Sequence, residues 1–184
     1  MLIKTIFSGF GGQGVLSTGQ MLAQAAMLQG KFVTYLPSYG AEVRGGTANC
    51  TVTISDEEIA SPIASEPEFI VALNQPSFTR FQNLLHSGGF LLYNSTMVEP
   101  EKVRGDIEIQ GVPISELAQK IGNIKVANMV MLGSFIAVSN LLSFERILKN
   151  LPEILGAGKV RLLKVNQEAF ELGYHFIEEC NHGD

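Results

Sequence analysis

Ile3-Lys4-Thr5-Ile6-Phe7 leads into Ser8-Gly9-Phe10-Gly11-Gly12-Gln13-Gly14 and then, without a break, into Val15-Leu16-Ser17-Thr18-Gly19. Read physically, this is a strand, a glycine turn and the start of a helix. Gly9, Gly11 and Gly14 keep the G-x-G-x-x-G spacing. In that pattern the first glycine makes the tight turn, the second admits a phosphate to the backbone, and the third brings helix against strand. The N–H groups of the turn and the positive end of the helix dipole then meet at one place, which suits an anion. Gly9, Gly11, Gly12, Gln13 and Gly14 are therefore the candidate phosphate-binding residues. The same glycines also fit a turn that serves packing alone, and spacing does not separate the two readings.

Outward from this turn, Val15, Gly19, Leu22 and Ala26 share one helical face, while Ala23 and Ala25 let the helix sit close to a sheet. Gly30 ends it, and Phe32 to Leu36 reads as a second strand. The unit is β-α-β, with parallel strands and a right-handed crossover. An ordinary NAD site places an acidic residue about 20 residues past the fingerprint, at the end of that second strand. Pro37-Ser38-Tyr39 stands there instead, and the nearest carboxylate, Glu42, falls in the following loop. The phosphate pocket survives this comparison; an NAD partner does not follow from it.

Pro37 to Gly46 forms a loop longer than the usual α/β connection, and such loops tend to bind something. Within it, Arg44 either clamps a phosphate or carboxylate or pairs with Glu42. Ala48 to Ile54 reads as a strand, Ser55 to Glu58 as a hairpin turn, and Ile59 to Ile63 as a short strand. Phe69 to Leu73 is a buried central strand. A helix follows, with Pro76 in its first turn and Phe78, Phe81, Leu84 and Leu85 facing inward. Phe90 to Asn94 is another buried strand, Ile107 to Gln110 an edge strand, and Pro113 to Ile121 a short helix. An apolar helix starts near Lys125, and Ser143 caps one more, with Ile147, Leu148 and Leu151 on its inner face. The last helix carries Val165, Ala169, Leu172 and Phe176 on one face, and Gly173 within it predicts a close neighbour. Cys180 to Asp184 reads as a frayed end.

The 184 residues are read as one domain, 1–184, whose C-terminal part, about 125–180, is helical. Charged residues are 17% of the chain, below the roughly 25% usual for soluble domains, which predicts a face covered by another subunit. With net charge −5 and scattered basic residues, no basic stripe offers itself to nucleic acid. Val126 to Leu142 carries no charge but is interrupted by polar residues and falls short of a membrane span of about 20 residues, so it is read as a buried or subunit-covered helix. No leader precedes the first strand, so the expected location is the cytoplasm.

Catalytic machinery is not apparent. His86, His175 and His182 show no ligand spacing. Ser8, Ser17 and Thr18 flank the glycine turn without a base, and read as phosphate donors or helix-start residues. Cys50, in a strand, reads as a buried inert thiol. Asn49, Asn74, Asn94, Asn128 and Asn166 each either orient a ligand or satisfy loop backbone. With only two cysteines, an iron–sulfur cluster or structural zinc cannot be housed by this chain alone.

Gly9-Phe10-Gly11-Gly12-Gln13-Gly14-Val15, Leu36-Pro37-Ser38-Tyr39-Gly40 with Glu42, Arg44-Gly45-Gly46-Thr47-Ala48-Asn49-Cys50, Ile54-Ser55-Asp56 and Ala72-Leu73-Asn74-Gln75-Pro76-Ser77 together resemble the gamma subunit of the 2-oxoacid:ferredoxin oxidoreductases. Asn166, Ala169, Phe170, Gly173 and Tyr174 extend the match. The stretch from Arg44 to Cys50 most resembles the 2-oxoglutarate form. The resemblance implies oxidative decarboxylation of a 2-oxoacid with coenzyme A to acyl-CoA, CO2 and reduced ferredoxin. It implies thiamine diphosphate and iron–sulfur clusters in partner alpha, beta and ferredoxin-like delta subunits, and ferredoxin as an indirect partner. The fold implied is α/β: a Rossmann-like three-layer domain with a mostly parallel sheet, an antiparallel edge and C-terminal helices. On this reading Gly9, Gly11, Gly12, Gln13 and Gly14, with Arg44, receive coenzyme A phosphates. Pro37, Ser38, Tyr39, Glu42, Gly45, Gly46 and Asn49 face partner subunits, no residue is catalytic or metal-binding, and Glu42 takes no proton-transfer role. Two other classes stay open: an assembly subunit with no ligand site, and a free-standing dinucleotide-dependent oxidoreductase.

Overall fold

The structure is a computed structural model that describes residues 1–39, 47–156 and 162–182. Six strands form one sheet in the order β2-β3-β1-β4-β5-β6: β1 (Leu2–Phe10), β2 (Phe32–Tyr39), β3 (Thr47–Ser55), β4 (Phe69–Ala72), β5 (Phe90–Asn94) and β6 (Glu108–Val112). β1, β4, β5 and β6 run parallel, whereas β3 is antiparallel to both β1 and β2. The expected α/β sheet with an antiparallel margin is therefore present.

Its first crossover differs from expectation. α1 (Val15–Leu28) does carry the chain from β1 to a strand of the same direction, but β3 lies between the two, paired from Leu2↔Ser55 to Phe10↔Thr47. The cause is the hairpin formed by β2 and β3, whose pairing runs from Phe32↔Ser55 to Tyr39↔Ala48 and delivers β3 to the open edge of β1. Pro37 to Tyr39 belong to this hairpin rather than to a loop. The short strand expected over Ile59 to Ile63 is absent. Both edges of β1 are already taken by β3 and β4, and Pro62 has no N–H to offer a ladder.

On one side of the sheet, α1 packs over β2 and β3, and α4 (Ala127–Ser139) crosses the centre. There the Phe135 ring meets Phe7 at 5.4 Å and Phe69 at 5.6 Å in edge-on contacts. α6 (Leu163–His182) lies on α4, with α3 (Ile114–Lys120) and α5 (Phe144–Leu155) beside them. The apolar helix near Lys125 is thus buried within the chain itself, Met129 to Ile136 being fully covered. Its partner α6 buries Asn166, Ala169, Phe170, Gly173 and Ile177, a stripe rotated from the one expected. The glycines explain the rotation: a Cβ on Gly133 would strike the Phe170 carbonyl, and one on Gly173 the Val130 carbonyl. The two backbones touch there and set the face. The helix also stays regular through His182, beyond the expected frayed point at Cys180.

The other side is covered by α2 (Gln75–Phe81). Phe78, Phe81 and Leu85 close a second, smaller core with Ile6, Ile70 and Leu91. Leu84, expected inward, is exposed, because α2 tightens into a 3-10 turn over Gln82–Leu84 that swings it out. α1 and α2 lie on opposite faces, so β1 and β4 border the point where the chain switches sides.

Candidate functional site

At that switch point, beyond the carboxyl ends of β1, β4 and β5, the chain leaves a cavity of about 440 Å3. Ligands of open α/β sheets sit in this position, since the diverging connections cannot close over it. Gly12, Gly14 and Ser17 form one wall, Leu73 and Asn94 the floor, Ser115 a second wall, and Lys125 with Asn128 a third. Lys125 carries the only formal charge among the described lining residues, and its ammonium has no ion pair among the described residues. Apolar surface from Met97, Ile114 and Ile124 completes the space.

The glycine turn is shaped for this opening. Gly12 has φ +96° with nothing among the described residues within 4 Å of where a Cβ would stand, and Gly14 has φ +80° with Asn128 Cβ only 2.8 Å from that point. Both values lie in the left-handed region that side chains resist. Gly14 caps α1 with no side-chain bond to the first-turn amides. By contrast, α2 and α5, whose caps do not line the cavity, are closed by Asn74 Oδ1 accepting from Ser77 N and by Ser143 Oγ accepting from Arg146 N. Thus α1 faces the cavity with bare donors and its dipole, an arrangement that stabilises an anion.

Gly9 sits inside the turn, where a Cβ would lie 2.7 Å from Gln13 Oε1 and 2.9 Å from Leu73 Cβ. Gly11 lines a second recess of about 330 Å3 on the far side of the loop, against Ala48, and Ser17 borders both spaces. Gln13 lines the cavity, but its amide is engaged with protein partners. Ser8 is fully buried and donates to Ser77 Oγ at 2.9 Å, while Thr18 Oγ1 donates to the Gly14 carbonyl at 3.0 Å. Neither hydroxyl faces a ligand. Arg44, Glu42, Gly45 and Gly46 lie outside the described residues. Pro37, Ser38 and Tyr39 end β2, and Asn49 pairs with Ser38 across the hairpin, at the same end of the sheet as the glycine turn.

Asn94, 2% exposed, donates to Ser115 Oγ at 3.0 Å and accepts from Thr96 N at 3.2 Å, which ties β5 to the start of α3. Asn166 donates to the Leu162 carbonyl and satisfies its own helix. Cys50 is fully buried, and burial pushes its thiol up to about 12; it is not a nucleophile. His86 is exposed, and His175 pairs with Glu178 at 3.1 Å on the surface of α6. The described residues contain no group of three His, Cys, Asp or Glu able to hold a metal ion, and no described helix is long and apolar enough to cross a membrane. Lys125 was not singled out from the sequence as a site residue. Its signal was faint: one lysine before an apolar helix, far along the chain from the glycine turn.

The sheet, its switch-point cavity and the glycine turn define a Rossmann-like α/β module. Residues 4–176 match the family described as pyruvate ferredoxin/flavodoxin oxidoreductase, and the chain belongs to that family. It is 38% identical over 182 residues to the ketoisovalerate oxidoreductase subunit VorA of Methanothermobacter thermautotrophicus, covering 99% of this chain and 38% of that protein. The chain therefore spans little more than a third of that relative's length. To the 2-oxoglutarate synthase subunit KorC of Methanocaldococcus jannaschii it is 33% identical, over 94% of this chain and 92% of that one. The crystal structure of a keto/oxoacid ferredoxin oxidoreductase gamma subunit from Geobacter sulfurreducens superposes with a TM-score of 0.81 at 28% identity, over 95% of each chain.

Proposed function

We propose that the chain is the gamma component of a 2-oxoacid:ferredoxin oxidoreductase and that its switch-point cavity receives coenzyme A. The complex would convert a 2-oxoacid and coenzyme A to acyl-CoA and CO2, with the electrons passing to ferredoxin. Thiamine diphosphate and the clusters belong to the alpha, beta and ferredoxin-like delta partners, and the assembly works in the cytoplasm. The observation that carries the reading is the uncapped start of α1, opening with Gly12 and Gly14 onto a cavity where Lys125 is the one charged residue among the described lining residues. Phosphates suit the donors and the ammonium, and the apolar surface of Met97, Ile114 and Ile124 suits the uncharged part of the carrier.

A nicotinamide dinucleotide fits less well. Its ribose acid belongs on the strand beside β1, and that place is held by the first residues of antiparallel β3, Thr47 and Ala48, paired with Phe10 and Gly9. For the partner face we propose the β2–β3 hairpin, where Phe32 and Leu36 are 47% and 43% exposed and share a strand face with Ser38. The stretch from Arg44 to Cys50 supports 2-oxoglutarate as substrate; the 38% identity to VorA supports 2-ketoisovalerate as the second reading.

Co-expression with the three partner subunits, followed by assay with 2-oxoglutarate, 2-ketoisovalerate and pyruvate in the presence of coenzyme A and a low-potential dye, tests the proposal. Coenzyme A-dependent reduction that needs this chain supports it. Coenzyme A-dependent reduction with an unchanged KM for coenzyme A in a complex lacking the chain would overturn it.

A further inference from the structure

Hydrogen bonding around Gln13 has a fixed sense. Backbone N–H groups can only donate. Ser77 N donates to Asn74 Oδ1 at 2.9 Å, which leaves Asn74 Nδ2 to donate to Gln13 Oε1 at 3.2 Å. Phe10 N donates to the same oxygen at 2.6 Å. Gln13 Nε2 must then point the other way, and it donates to the Leu73 carbonyl and to Met97 Sδ, each at 3.3 Å. One amide thus joins the end of β1, the turn after β4 and the segment after β5. Gly9 leaves the room it occupies, since a Cβ there would crowd Oε1.

We propose that Gln13, backed by buried Asn74, is a positioning residue: it holds Phe10 to Gly14 in the shape that turns the loop's donors into the cavity, and its own amide does not bind the ligand. Both ends of that amide are engaged by protein partners. The inference rests on the coenzyme A reading for one of its two readouts only.

The test uses the full chain with Q13L and Q13E. Amide hydrogen exchange is followed at Phe10 to Val15, with α4 and α6 as internal references, and coenzyme A is titrated into each protein. Losing these bonds in Q13L is expected to speed exchange in the loop about tenfold and to raise the Kd for coenzyme A by a similar factor, with α4 and α6 unchanged. Q13E keeps the oxygen that Phe10 and Asn74 address, so it recovers part of the loop protection. Loop exchange in Q13L equal to wild type would overturn the proposal. So would loss of coenzyme A binding with exchange unchanged, because the side chain would then be a ligand contact. If the wild-type chain binds no coenzyme A, the functional reading falls, and the exchange readout still decides what Gln13 does.

Discussion

Glycine is required both at the turn after β1 and at the crossing of α4 with α6, yet the two places use it in opposite ways. Around Gly12 a missing side chain leaves open space, with nothing among the described residues within 4 Å. At Gly133 and Gly173 the missing side chains let one helix rest on the carbonyls of the other, and the single proton of Ser134 Oγ is shared between the carbonyls of Val130 and Gly173, each at 3.0 Å. One region leaves the first-turn amides of α1 without a side-chain cap; the other brings two helix backbones into contact. The contrast separates the part of the chain proposed to accept a ligand from the part where helix backbones lock together.

The largest effect is expected at the helix crossing. G133A and G173A each place a methyl against a backbone carbonyl that cannot retreat without breaking a helix, and should cost about 3 kcal/mol. Thermal unfolding should show a drop of roughly 6–12 °C for each. G14A comes next, since it meets Asn128 as well as a left-handed backbone. It should cost about 2 kcal/mol and should also impair coenzyme A binding. G12A sharpens the comparison, because it bears only the backbone strain of about 1 kcal/mol. Its melting point should fall far less than that of G173A, while its affinity for coenzyme A falls more. Equal melting points for G12A and G173A would break the distinction. S134A, which removes a hydroxyl whose one proton is shared between two carbonyls, should cost about 1 kcal/mol.

The smallest effect concerns pH. The hydrogen bond from Lys31 Nζ to Asp56, 2.6 Å long, holds that carboxyl below its usual value. A lowered carboxylate contributes stability that is present above its ordinary unfolded value near 3.8 and is lost as pH falls through the lower folded value. D56N should therefore flatten the acid limb of the stability profile slightly and leave stability near neutral pH almost unchanged, because the pair is exposed.

Most of the strands and helices were legible because their apolar residues recur with clear periods, and because Asn74, Pro76 and Ser143 announce helix starts through capping chemistry. The order of the strands was not. Nothing in Phe32 to Leu36 states that the following strand will slip in beside β1, since hairpin insertion depends on which edge is free. The inner face of α6 was misplaced because the apolar pattern ranks Val165 and Leu172 above Asn166 and Gly173; at a backbone contact, smallness outranks hydrophobicity. The glycine turn was readable from local spacing, whereas Lys125 enters the site only through tertiary folding. Gln13 was read as a ligand donor by position, and its bonds to Phe10, Leu73, Asn74 and Met97 come from three separate stretches that no local pattern joins.

Calorimetric titration of the full chain and of K125A with coenzyme A and with NADH bears most directly on the central claim. The account predicts saturable binding of coenzyme A that weakens as salt is raised and falls about tenfold in K125A, with no saturable binding of NADH. Saturable NADH binding, or coenzyme A binding indifferent to K125A and to salt, would contradict it.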